Sequence, residues 1–193
     1  MPGLPGLRTV AELVRAPAAL TVPGDTLAGR AAAGRPLGPA APVLGLGLAS
    51  VCLYWAGMAL NDYADRHADA AERPRRPIPS GRVTPGFALA LATGLTGAGL
   101  ALAAAAEGRR ALAVAVPLAA TVWAYDLGVK RHPVAGPAAM AAARALDVLL
   151  GAGYGRLRAA LPAAGLLGAH TLTLCALGRR ETRGADGPLL AGT

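Results

Sequence analysis

Four of the chain's eleven acidic residues fall within eleven positions, Asp62 to Glu72, in the stretch LNDYADRHADAAERPRRPIPSGR at residues 60–82. Asn61 precedes Asp62, and Asp65 and Asp69 follow at spacings of three and four. On one continuous helix, 100° per residue puts the three aspartates within an arc of about 60°. Like charges on one helix face repel unless a cation neutralises them. Magnesium suits this arrangement: it prefers hard oxygen ligands, keeps several waters, and binds through one or two carboxylates plus substrate phosphates. Asp69, farthest along the helix, is expected nearest solvent. The bland alternative is a solvated helix end, but acids at the mouth of a membrane helix are costly and usually functional. Pro74, Pro77 and Pro79 then prevent a continuing helix. Arg73, Arg75 and Arg76 are thereby freed to reach over the carboxylates and bind phosphate oxygens in bidentate fashion. The competing role for each arginine is to set topology or touch lipid headgroups.

The elements that must position these residues are apolar. The 193 residues are 54% hydrophobic and 16% charged, whereas about a quarter of a soluble domain is charged. The pattern predicts an all-α, polytopic transmembrane bundle. About 20 apolar residues cross the hydrocarbon core, and six spans are expected near 12–33, 42–63, 86–106, 110–128, 136–153 and 159–178. The first carries Arg15, Pro17, Pro23, Gly24 and Asp25. Small residues dominate, which permits close helix packing in lipid. The net charge of +8 comes almost wholly from arginines in gaps between apolar runs, a pattern that suits anionic headgroups or phosphate. One Phe, four Tyr and two Trp make no stacking platform for bases, so no nucleic-acid partner is expected. Cys52 and Cys175 lie inside apolar runs and imply no disulfide framework. No cleavable signal peptide is evident. Twelve basic residues fall on one set of alternate loops and six on the other. The positive-inside rule therefore places residues 60–82 and the N-terminus in the cytoplasm of a multi-pass cell-membrane protein.

The motif Asn-Asp-x-x-Asp-x-x-x-Asp of NDYADRHAD, followed by ERPRRPIPSGRV, resembles the first aspartate-rich motif and loop of the UbiA superfamily of intramembrane prenyltransferases. AYDLGVKRHPVAGPAAMAAARALDVLLGA at residues 124–152 is similar to that family's middle region, and RAPAALTVPGD at residues 15–25 to its first helix. The resemblance implies a prenyl diphosphate held by Mg2+ between two aspartate-rich motifs. Its carbon–oxygen bond ionises, and an unidentified acceptor captures the allylic cation. On this analogy Asp62, Asp65 and Asp69 bind metal with help from Asn61, and Arg73 and Arg76 contact phosphate. Lys130 sits on the diphosphate with Tyr125 nearby, although four residues separate the two where the family usually has three. RRETRGAD occupies the place of the second motif and offers Glu181 and Asp186 as metal ligands. The family has nine helices, so residues 1–193 read as a single UbiA-like domain lacking the last of them. Such a chain is expected to turn over little on its own, because water can enter the site. The alternative is a non-catalytic remnant that binds polyprenyl phosphate or assembles with partners.

Arg144 and Asp147, three apart, share a helix face and form either an ion pair within or between helices, or a polar wall. His67, His132 and His170 lack metal spacing. His170 reads as an interhelical partner or a cavity lining. Glu107, Arg109 and Arg110 look like an ordinary loop on the opposite face. Phosphatidyl-alcohol transferases also use aspartates at membrane helix ends, but no Asp-Gly-x-x-Ala-Arg precedes Asp62.

Overall fold

The structure, a computed structural model, describes residues 5–38 and 41–185, with side chains as far as Arg179. All regular structure among these residues is helical. The chain opens with α1 (Leu7–Leu13), a 3-10 turn (Ala16–Thr21) and α2 (Pro23–Ala32). This first segment does not cross as one helix. Arg15 adopts a left-handed backbone with φ 50°, and Pro17 and Pro23 sit where each next helical piece begins. The main bundle follows: α3 (Ala41–Ala64), the short α4 (Arg66–Glu72), α5 (Pro85–Glu107), α6 (Leu112–Leu127), α7 (Ala135–Ala152) and α8 (Leu157–Ala185).

Four helical stretches among the described residues are long and apolar enough to cross a membrane: 41–64, 85–107, 109–127 and 154–179. The expected count of six loses the interrupted first segment and α7. The latter is 18 residues long and carries Arg144 and Asp147, and two ionisable side chains offset much of the apolar content of so short a helix.

The helices pack as α3 on α5, α7 on α8, α2 on α7 and α6 on α7. Leu46, Leu53, Val114, Leu118 and Leu150 form the central apolar core. Two glycines fix the tightest crossing. A Cβ on Gly29 of α2 would collide with the Val148 carbonyl, and one on Gly151 of α7 with the Thr26 carbonyl. The two backbones therefore touch, the close approach that small residues give membrane helices.

The segment joining α4 to α5 is pinned to the bundle. Ile78 and Val83 are buried against Leu13, Ala59, Leu60, Ala88 and Ala92. Burying two such side chains contributes about 1.5–3 kcal/mol each. Gly81, with φ +75°, makes the turn a residue with a side chain resists. Thr84 then caps α5 by accepting from the Phe87 N–H at 3.2 Å, with Pro85 at the first helical position. This anchored turn fixes where Arg76 sits.

Candidate active site

The aspartate motif straddles a kink. α3 ends at Ala64, Asp65 takes φ −90° and ψ 3°, and α4 starts at Arg66. The backbone bonds from Asp65 N to Asn61 O (2.9 Å) and Asp69 N to Asp65 O (2.8 Å) carry the helical ladder across the bend. The kink separates the three carboxylates into two groups, which corrects the single arc expected of a straight helix. Asp62 and Asp69 converge on Arg76, whose Nη1 lies 3.1 Å from Asp62 Oδ1 and 2.7 Å from Asp69 Oδ2. Asp65 turns the other way, and its Oδ2 accepts from Lys130 Nζ at 2.7 Å.

Further cations and acids complete this end of the bundle. Arg15 Nη2 lies 3.3 Å from Asp62 Oδ1, and Arg73 Nη1 lies 3.5 Å from Asp69 Oδ1. Lys130 also lies 4.0 Å from Asp126 Oδ1, which accepts from Asn61 Nδ2 at 3.1 Å. Asp69 is among the most buried of these groups at 2% exposure, because α4 folds back under the Arg76 turn. The expectation that it lies nearest solvent is thus corrected. Two members were missed from sequence, Arg15 and Asp126. Asp126 lies four residues before Lys130, one helical turn, and is the sole acid of α6. Arg15 had no local signal, since its partner is 47 residues away.

Above this cluster, outside the apolar spans, Arg82 donates to both carboxylate oxygens of Glu12, at 2.6 and 2.9 Å. These bonds hold the Glu12 carboxyl below its ordinary value of 4.5.

Beneath the cluster a cavity of about 550 Å³ enters the bundle. Arg15, Tyr125 and Asp126 line its mouth, and Leu53, Met58 and Leu174 contribute to its walls. Its inner end reaches Ser50 and Asp147, joined by a 2.6 Å hydrogen bond from Ser50 Oγ to Asp147 Oδ2. Arg144 pairs with Asp25 of α2 at 2.8 Å, so the ion pair runs between helices rather than to Asp147. His170 also lines the cavity.

Among the described residues, no three His, Cys, Asp or Glu side chains stand close enough together to hold a metal ion. Of the proposed second set, Asp186 and the Glu181 side chain lie outside the described residues. The donor set nonetheless fits magnesium. Two carboxylates, Asp62 and Asp69, aim oxygens at one point held by a cation, and two carboxylates are what this ion takes from a protein when phosphates and waters supply the rest.

The model of the UbiA prenyltransferase family matches residues 25–180. The chain belongs to that family. Among curated UbiA-type relatives, a digeranylgeranylglyceryl phosphate synthase of Methanopyrus kandleri is 40% identical over 80 residues, 42% of this chain and 29% of that protein. One from Ignicoccus hospitalis is 34% identical over 145 residues, covering 75% of this chain and 46% of the relative. The bacteriochlorophyll synthase 33 kDa chain of Rhodobacter capsulatus is 51% identical over 41 residues, 21% of this chain and 14% of that one. The chain thus spans less than half the length of these relatives. A solved structure, titled as giving insights into digeranylgeranylglyceryl phosphate synthase in membranes, shares the fold. Its TM-score is 0.73 at 22% identity, over 88% of this chain and 60% of that one.

Proposed function

We propose that the chain acts in a cell membrane as a prenyltransferase, moving a prenyl group from a prenyl diphosphate to an acceptor. The observation that carries this reading is the charge arrangement at the cavity mouth. Arg76 bridges Asp62 and Asp69, and Lys130 bridges Asp65 and Asp126, above an apolar cavity. A headgroup rich in phosphate oxygens with a long apolar tail matches both parts. Relatives named for different products share prenyl transfer, and that step is what is carried over here.

In this reading Asp62 and Asp69 would hold Mg2+ while Asp65 keeps Lys130 beside the site; the ion would neutralise the diphosphate and make it a better leaving group. Arg73, Arg76 and Lys130 donate hydrogen bonds to the phosphate oxygens, strongest as charge accumulates on the departing group. Asn61 fixes Asp126 beside Lys130. The allylic C1–O bond breaks with its electron pair going to the diphosphate oxygen. The acceptor's nucleophilic atom then bonds to C1 and loses its proton. Tyr125, at the cavity mouth next to Asp126, lies where the allylic carbon enters. The mostly apolar walls suit the prenyl tail; transfer requires that water, which would capture the cation, be kept from the allylic carbon. The twelve-to-six distribution of basic residues supports a cytoplasmic mouth.

The test is Mg2+-dependent binding of radiolabelled geranylgeranyl diphosphate to the chain in nanodiscs, followed by assay of diphosphate release with a panel of aromatic and lipid acceptors. Binding that requires Mg2+ and is lost in Asp62→Ala is expected, and diphosphate release upon adding an acceptor would establish transfer. Binding that ignores both Mg2+ and Asp62 refutes the site. Binding without release from any acceptor assigns the chain to the binding-only alternative.

A further inference from the structure

The end of the bundle opposite the aspartates carries a charge distribution that the transfer reaction does not use. Six basic residues, Arg30, Arg35, Arg109, Arg110, Arg156 and Arg158, meet a single acid there, Glu107. Glu107 is already paired with two of them. Arg35 Nη2 lies 2.7 Å and Arg30 Nη1 3.3 Å from its Oε1. Arg30 further donates from Nε to the Pro36 carbonyl at 2.7 Å. Arg35 reaches across to the Ala152 carbonyl at 3.4 Å, and a Cβ on Gly153 would collide with its guanidinium. Arg35 thereby ties the α5–α6 turn to the α7–α8 turn.

The other four arginines stand on or beside those two turns, Arg109 and Arg110 on one, Arg156 on the other and Arg158 in the first turn of α8. All four are exposed, and none of their side chains makes a hydrogen bond or ion pair to another described residue. At the site end, by comparison, Arg15, Arg73, Arg76, Arg82 and Lys130 each pair with a carboxylate, and Arg8, Arg75 and Arg131 are exposed. Both turns also open helices, α6 and α8, so the positive ends of two helix dipoles add to the same field. Exposed Tyr154, at 48%, lies on the second turn, the residue type that settles at the headgroup level of a bilayer.

We propose that this end binds the phosphate headgroup of an anionic phospholipid between the two arginine pairs. Guanidinium groups without internal partners match phosphate oxygens in bidentate geometry, and their place at the ends of two apolar helices puts them at the depth of lipid phosphates. The occupant is therefore a lipid rather than a soluble anion.

The test uses the full chain in nanodiscs of phosphatidylcholine alone or with admixed phosphatidylglycerol. Retained lipid is counted by native mass spectrometry, and unfolding midpoints are read in parallel. Wild-type protein is expected to retain phosphatidylglycerol selectively and to unfold at a higher temperature in its presence. Each arginine changed to glutamine is expected to weaken retention roughly fivefold, so R109Q/R110Q/R156Q/R158Q loses the selectivity. The control R8Q/R131Q, exposed cations at the other end, is expected to keep it. Equal retention of both lipids by the wild type overturns the proposal, as does undiminished selectivity in the fourfold variant. Inorganic phosphate raising the midpoint as much as phosphatidylglycerol does would overturn the assignment to lipid.

Discussion

Removing Arg76 tests whether the aspartate cluster is held together by an internal cation. Its Nη1 sits 2.7 Å from Asp69 Oδ2 and 3.1 Å from Asp62 Oδ1, and the two aspartates are only 2% and 4% exposed. Deleting one partner of a buried pair costs about 3–5 kcal/mol, since an uncompensated charge stays behind. Two features lower that figure. The Arg76 side chain is 23% exposed, and Arg15 at 3.3 Å and Arg73 at 3.5 Å still face the carboxylates. Both are long surface side chains, and pairs of that kind give about 0.2–1 kcal/mol each. The expected loss for Arg76→Met, which keeps the apolar stem, is therefore about 2 kcal/mol in metal-free protein. Because a divalent cation can take the guanidinium's place between the two oxygens, adding Mg2+ is expected to stabilise the variant more than the wild type. Unfolding in mixed micelles, followed by circular dichroism with and without Mg2+, measures both quantities. A variant within about 0.5 kcal/mol of wild type, or one indifferent to Mg2+, refutes the reasoning.

Other substitutions probe the remaining geometry. Asp69→Ala is expected to reduce Mg2+-dependent binding of a prenyl diphosphate as severely as Asp62→Ala, because both face the same point; filter binding with labelled ligand decides, and a mild Asp69→Ala effect would separate them. Gly151→Ala is expected to destabilise by at least the 1–3 kcal/mol typical of overpacking, since the added methyl meets the Thr26 carbonyl, whereas Gly94→Ala, with open space around it, is expected to be neutral or slightly stabilising in thermal unfolding. The bond to Arg82 depresses the Glu12 carboxyl, so the unfolded chain takes up a proton first as pH falls. Its contribution is thus complete above about 4.5 and lost as pH drops through the lower folded value; Glu12→Gln should flatten the acid limb of the stability profile, and an unchanged limb would discount the pair. A cysteine at Ser80, which is exposed, is expected to react with impermeant reagent only from the cytoplasmic side.

The sequence made the helical architecture legible because length and apolarity alone set a membrane helix. Asp62, Asp65 and Asp69 were legible because acids next to such helices have few structural uses. The bend at Asp65 was not, since no proline or glycine marks it; the pinned Ile78–Val83 turn and the bonds to Arg76 and Lys130 accompany it instead. Arg15 and the Asp25–Arg144 pair were hidden for a different reason. Their partners are remote in sequence, and a lone charge in an apolar run does not announce which helix it meets. The marginal standing of α7 follows from Arg144 and Asp147, which lower its apolarity while meeting Asp25 and Ser50 in the folded bundle.

The backbone contact between α2 and α7 has a consequence for how the protein is made. Asp25 and Arg30 ride on a ten-residue helix too short to span a bilayer, and Asp25 meets its counter-charge Arg144 only 119 positions later. A nascent chain therefore cannot commit this segment to the lipid as it leaves the ribosome. It must wait at the interface until α7 is synthesised and offers both the glycine seam and the arginine. This segment, although it precedes the main bundle in sequence, is thus among the last to be seated, and the cavity mouth, to which Arg15 contributes, is completed only then.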